Sequence, residues 1–108
     1  MHLRPEDIPS WTVEEIPSVT QKATEIFGGL GGKLLADHYD KLKVMLETYP
    51  PNQRYFSHPR MDLGGGHVFW VKSEGGRLIV RAKYFVWAET CVVDKLYTAG
   101  DKPQDLEM

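Results

Sequence analysis

Residues 67–84 read HVFWVKSEGGRLIVRAKY, and this run limits the folds open to the chain more than any other. Two apolar stretches flank a Gly-Gly pair. In an extended strand successive side chains point to opposite faces. Val68 and Trp70 therefore fall on one side of the first stretch, with Phe69 and Val71 on the other. In the second stretch Leu78, Val80, Ala82 and Tyr84 share a face, and Arg77, Ile79, Arg81 and Lys83 share the opposite one. Gly75 and Gly76 readily take the positive φ angles that tight turns need. The run reads as a β-hairpin whose second strand is apolar on one side and basic on the other.

The chain on either side of the hairpin supplies helices and further strands. Residues 1–10 contain Pro5 and Pro9 and read as an extended lead-in. Residues 11–16 (WTVEEI) alternate like a strand, yet Thr12 and Glu15 also match a capping box. Pro17 cuts off a longer helix and favours the strand. Residues 18–27 predict a helix with Ser18 as N-cap, Gln21 completing the box, and Val19, Ala23, Ile26 and Phe27 as its apolar stripe. Residues 28–32 (GGLGG) read as a loop; the Lys-Ser/Thr of a phosphate-binding loop does not follow. Residues 33–48 predict the longest helix, because Leu35, His38, Tyr39, Leu42, Met45 and Leu46 recur at helical spacing. Residues 51–66 read as a long loop carrying Arg54, Tyr55, Phe56, His58 and Arg60. Residues 85–89 (FVWAE) form an apolar turn in which Phe85 and Trp87 offer a partner-binding surface. Residues 90–98 predict a third strand of a meander, and the tail beyond residue 100 reads as frayed. The order is β-α-α-β-β-β: an α+β fold with two N-terminal helices on a small antiparallel sheet. At 108 residues this is one domain, with flexible ends at about 1–10 and 101–108.

Charge is unevenly distributed. The net charge is −2, so the chain as a whole is not a polyanion binder. Residues 54–83 nevertheless hold six basic side chains (Arg54, Arg60, Lys72, Arg77, Arg81, Lys83) against two acidic ones (Asp62, Glu74). Such a basic face, with aromatic side chains beside it, suits phosphate contacts with bases stacking nearby. The same array is equally the solvated side of an antiparallel sheet. His58, His67 and Cys91 lack the spacing of a zinc site, and Cys91 sits in an apolar strand where an inert thiol is the default. No metal or cofactor is expected. A single cysteine excludes an internal disulfide, and no apolar run is long enough for a signal peptide or membrane span. These features predict a cytoplasmic protein with no membrane partner.

The element order, together with VFWVKSEGGRLIVRAKY, resembles the RelE/ParE toxin superfamily, nearest to its HigB-type members. CVVDKLYTAGDK resembles that family's last strand and its end. The resemblance covers residues 65–102 in some detail and residues 11–50 as topology. It implies one half of a toxin–antitoxin pair: an endoribonuclease acting on RNA at the ribosome, with an antitoxin segment as partner. Cleavage in such a protein uses the ribose 2′-hydroxyl as nucleophile, so the site must move protons and hold the phosphorane charge. Arg77 matches the family's arginine at the start of the central strand. The resemblance implies Arg77, Lys72 and Tyr97 as catalytic residues, with Arg81, Lys83, Lys102 and Arg54 binding phosphate. The last strand offers Tyr97, Thr98 and Lys102 where the family presents His, Arg or Tyr. ParE-like members block a protein target without cleaving RNA. The rival expectation is a non-catalytic protein-binding module: an immunity protein, a phage-encoded inhibitor or a phage assembly component.

Overall fold

A computed structural model describes residues 5–49, 60–61 and 66–101. Its strands are β1 (Thr12–Glu15), β2 (Arg60–Met61), β3 (His67–Lys72), β4 (Leu78–Phe85) and β5 (Thr90–Thr98); its helices are α1 (Pro17–Phe27) and α2 (Gly32–Leu46). The α+β class and the order of one strand, two helices and a meander stand as the sequence predicts. The sheet order is β1-β5-β4-β3-β2. The β3–β4 and β4–β5 pairs are antiparallel. The two-residue β2 adds antiparallel beside β3, while β1 adds parallel to β5, Thr12 opposite Thr90 and Glu15 opposite Val93. The sheet is therefore mixed at one edge. Parallel neighbours need a crossover, and α1 with α2 supplies the first part of it.

Alternation decides which side is covered. Phe69, Ala82 and Val93 lie in one cross-strand row; Val71, Val80 and Leu96 in the next; Tyr84 and Cys91 in a third. All are buried, and all join one core with Val19 and Ala23 of α1 and Tyr39, Leu42 and Leu46 of α2. Both helices thus pack on the same side of the sheet. Tyr84 anchors that core: its ring meets Trp11 edge-on with centroids 4.9 Å apart, and meets Tyr49 at the same distance. Its hydroxyl donates to the Leu46 carbonyl at 2.7 Å, fixing the end of α2 to the sheet. Within the expected lead-in, Pro5–Asp7 forms a 3-10 turn and Ile8 is buried in the core.

Local punctuation differs from expectation at the helix starts. Ser18 does not cap α1: the N-cap is Ile16, without a side-chain cap bond, and Pro17 opens the helix. Proline suits a first helical position because its missing N–H would lack a partner there and its φ is already helical. The glycine loop turns at Gly31, whose φ is 75°, and Gly32 begins α2. A β-carbon on Gly32 would lie 2.1 Å from the Phe27 carbonyl oxygen, so only glycine lets the two helices meet this closely. The hairpin turn conforms, with φ of 76° at Gly75 and 70° at Gly76. Among the described residues no helix is long and apolar enough to cross a membrane.

Candidate functional site

The side of the sheet opposite the helices gathers three of the cations that the sequence singles out, Lys72, Arg81 and Lys83. The pairing places Lys72, Ile79 and Tyr97 in one cross-strand row, and Trp70, Arg81 and Lys95 in the next. Val68, Lys83 and Val92 form the third row, with Glu14 beyond Val92 on β1. Opposed residues stand about 4.5–5.5 Å apart at Cα, so each row is a continuous patch. Trp70 and Tyr97 stand on strands either side of β4, roughly 10 Å apart at twice the strand spacing. Their ring centroids are only 6.0 Å apart at 31°, so the rings lean inward over β4. Ile79, which pairs with Lys72 and Tyr97, is 4% exposed although it is not part of the helix-side core. The Arg81 guanidinium lies 6.0 Å from the Trp70 ring.

Arg81 and Lys83 converge on a carboxylate that the sequence reading passed over. The Arg81 Nε donates to Asp94 Oδ1 at 2.9 Å, and its Nη2 donates to Oδ2. Lys83 Nζ lies 3.4 Å from the same Oδ2. The carboxylate is the most buried of the three, with 11% of its side chain exposed against 28% for Arg81 and 24% for Lys83. A β-bulge makes this possible: Arg81 pairs with Lys95 but Ala82 pairs with Val93, leaving Asp94 as the extra residue of β5. A bulge sets two consecutive residues against one and re-aims a side chain. The signal is visible in the sequence. Two polar residues, Asp94 and Lys95, separate the core residues Val93 and Leu96, where strict alternation allows one.

The other expected site residues fall as follows. Lys72 is exposed at the end of β3, beside a cleft of about 130 Å³ lined by His38, Met45 and Glu74 among others. Arg77 is exposed and precedes β4 rather than belonging to it; its backbone is helical and its carbonyl accepts from the Ala99 N–H at 3.2 Å. It stands at the turn, one residue before β4 begins at Leu78. Tyr97 is half-buried, with Lys22 Nζ of α1 5.5 Å from its ring centre. Phe85 and Trp87 lie together, ring centres 6.1 Å apart, and Trp87 is 81% exposed. Arg54 and Lys102 lie outside the described residues, as do most of residues 51–66.

Neither the thiol nor the buried phenols offer catalytic chemistry. Burial pushes the Cys91 thiol up to about 12, against an opposing hydrogen bond with Tyr84. Burial likewise raises Tyr39 and Tyr84 well above the usual phenol range, and the Glu15 carboxylate hydrogen-bonded to the Tyr39 hydroxyl raises Tyr39 further. Among the described residues no three His, Cys, Asp or Glu side chains converge as a metal ion would need. No known protein family, no curated protein and no solved structure matches the chain.

Proposed function

We propose that this chain is a RelE/ParE-like toxin that engages single-stranded RNA on the open side of its sheet. One observation carries the reading: Lys72, Arg81, Lys83 and Lys95 share that side with two aromatic rings, Trp70 and Tyr97. Cations tracking a backbone beside flat rings that accept bases are what single-strand recognition requires. The element order agrees with the resemblance stated above. Cleavage is the finer form of the proposal. In it Arg77 holds phosphoryl oxygens at the head of the Lys72–Tyr97 row, and the Tyr97 hydroxyl or Lys72 moves the proton.

Induced expression in bacteria tests the reading. Growth arrest is expected, relieved by Arg77→Ala. Primer extension on cellular messages should show cleavage that the variant loses by about 10²–10³-fold. Harmless accumulation of the folded chain at high level sinks the toxin reading. Arrest without cleavage, insensitive to Arg77→Ala, points instead to a blocked protein target. The exposed Trp87 beside Phe85 favours that second reading, a protein-binding module. There Trp87→Ala should relieve the arrest and Arg77→Ala should not.

A further inference from the structure

The cation pair at the centre of the open side already holds an anion. Asp94 presents two carboxylate oxygens to the fork of Arg81 and shares one of them with Lys83. A guanidinium fork receives two phosphate oxygens in the same way that it receives two carboxylate oxygens. Each cation is more exposed than the carboxylate between them. The carboxylate arrives there through an inserted residue in β5, not through regular alternation. Among the described residues of that side, Lys72, Arg81, Lys83 and Lys95 outnumber Asp94 and Glu14.

We propose that Asp94 is a built-in competitor for phosphate at Arg81 and Lys83. The carboxylate stands where a phosphodiester's oxygens would bind, so RNA gains these two cations only by displacing it. Asp94 thereby sets an upper limit on affinity for the backbone. Contact through Lys72, Arg77 and Lys95 comes first, and engagement of Arg81 is the second, conditional step. The proposal rests on the RNA-binding reading above for its choice of ligand, but not on toxicity or cleavage.

The test uses the purified full chain, a short fluorescent single-stranded RNA, and anisotropy over a range of salt. Asp94→Asn keeps the side chain's shape and removes its charge. It should tighten binding on the order of tenfold at low salt. The slope of log affinity against log salt should steepen by about 0.7 for each cation newly engaged on a single strand. Adding Arg81→Gln to Asp94→Asn should abolish most of the gain. A second measurement needs no variant: the Arg81 Nε–H resonance of the intact chain, followed during titration with inorganic pyrophosphate, should shift at high ligand. Unchanged or weaker binding by a folded Asp94→Asn overturns the proposal. So does a pyrophosphate titration that moves Lys72 and Arg77 but leaves Arg81 still. Binding by neither protein overturns it together with the RNA reading, whereas growth arrest without cleavage leaves this comparison standing.

Discussion

The two sides of the sheet are built from the same strands, residue by residue in alternation, yet they follow different rules. The helix side is apolar and closed. Its rows of Phe69, Val71, Val80, Ala82, Tyr84, Cys91 and Val93 are 0–4% exposed, and its one phenol on β4 bonds a helix-end carbonyl. The open side keeps its central charges partly in contact with water, from 11% exposed at Asp94 to 28% at Arg81. Arg81 and Lys83 share the Asp94 carboxylate, and the Trp70 and Tyr97 rings lean on each other. Burial makes the first side intolerant of change, because each side chain fills space its neighbours cannot. Greater exposure makes the second side more tolerant at Lys72 and Lys95, whereas the bidentate Arg81–Asp94 pair, whose carboxylate is 11% exposed, is held more firmly. The fold resides on one side, and the capacity to meet a charged partner on the other.

The largest expected effect strikes the closed side. Tyr84→Ala removes a fully buried ring packed against Trp11, Tyr49 and Phe69 and leaves the Leu46 carbonyl without its donor. Loss of a core aromatic costs about 3–5 kcal/mol. Urea denaturation should show this as a lower midpoint, and Tyr84→Phe should lose only about 1–2 kcal/mol. A Tyr84→Ala cost below 1 kcal/mol would break the contrast between the sides.

Alkaline pH should attack the same side next. Burial raises the Cys91 thiol from its ordinary 9.0 to about 12, and raises Tyr39 and Tyr84 above their ordinary 10.0. Above those ordinary values the unfolded chain gives up protons that the folded chain keeps. The unfolded state then binds fewer protons, and stability falls as pH rises. The stabilisation is complete below about pH 9, declines by about 1.4 kcal/mol per pH unit once the unfolded thiol titrates, and declines faster past about pH 10 as the phenols join. Urea midpoints measured from about pH 8 to 11 check the trend. In Cys91→Ala the decline should begin later, and a flat profile in the intact chain would show that these groups are not dry.

Legibility in the sequence divides along the same line. The strands β3, β4 and β5 were readable, because period-two alternation in residues 67–84 and 90–98 is local information and burial enforces it, whereas the two-residue β2 falls within residues 51–66, which read as a loop. The helices were readable for the same reason. Partnering was less so. TVEE shows that Thr12–Glu15 is extended, but its parallel seat beside Thr90–Val93 depends on contacts far along the chain. Pro17 reads as a stop and acts as a start, since its missing N–H costs nothing at a first helical turn. On the open side the cations were visible and their neutralisation was not. Counting charge along residues 54–83 omits Asp94, which lies outside that window and reaches Arg81 only through strand pairing and a bulge. Arg77 was read as a strand residue from alternation, whereas the turn holds its backbone helical.

The smallest expected effect on stability is the sharpest test of the division. Lys95 stands opposite Arg81 on the open side and is half-exposed. Lys95→Gln keeps the stem and removes the charge, so thermal and urea stability should change by no more than about 0.5 kcal/mol. Binding to single-stranded RNA should nevertheless weaken, and the salt slope should flatten by about 0.7, because one fewer counterion is displaced. A variant that loses stability by more than about 1 kcal/mol would make Lys95 part of the fold. One that keeps both stability and slope would remove it from the interface and confine backbone contact to the Lys72–Arg77 end. The contrast between the sides holds only if charge on the open side changes binding while leaving folding unchanged.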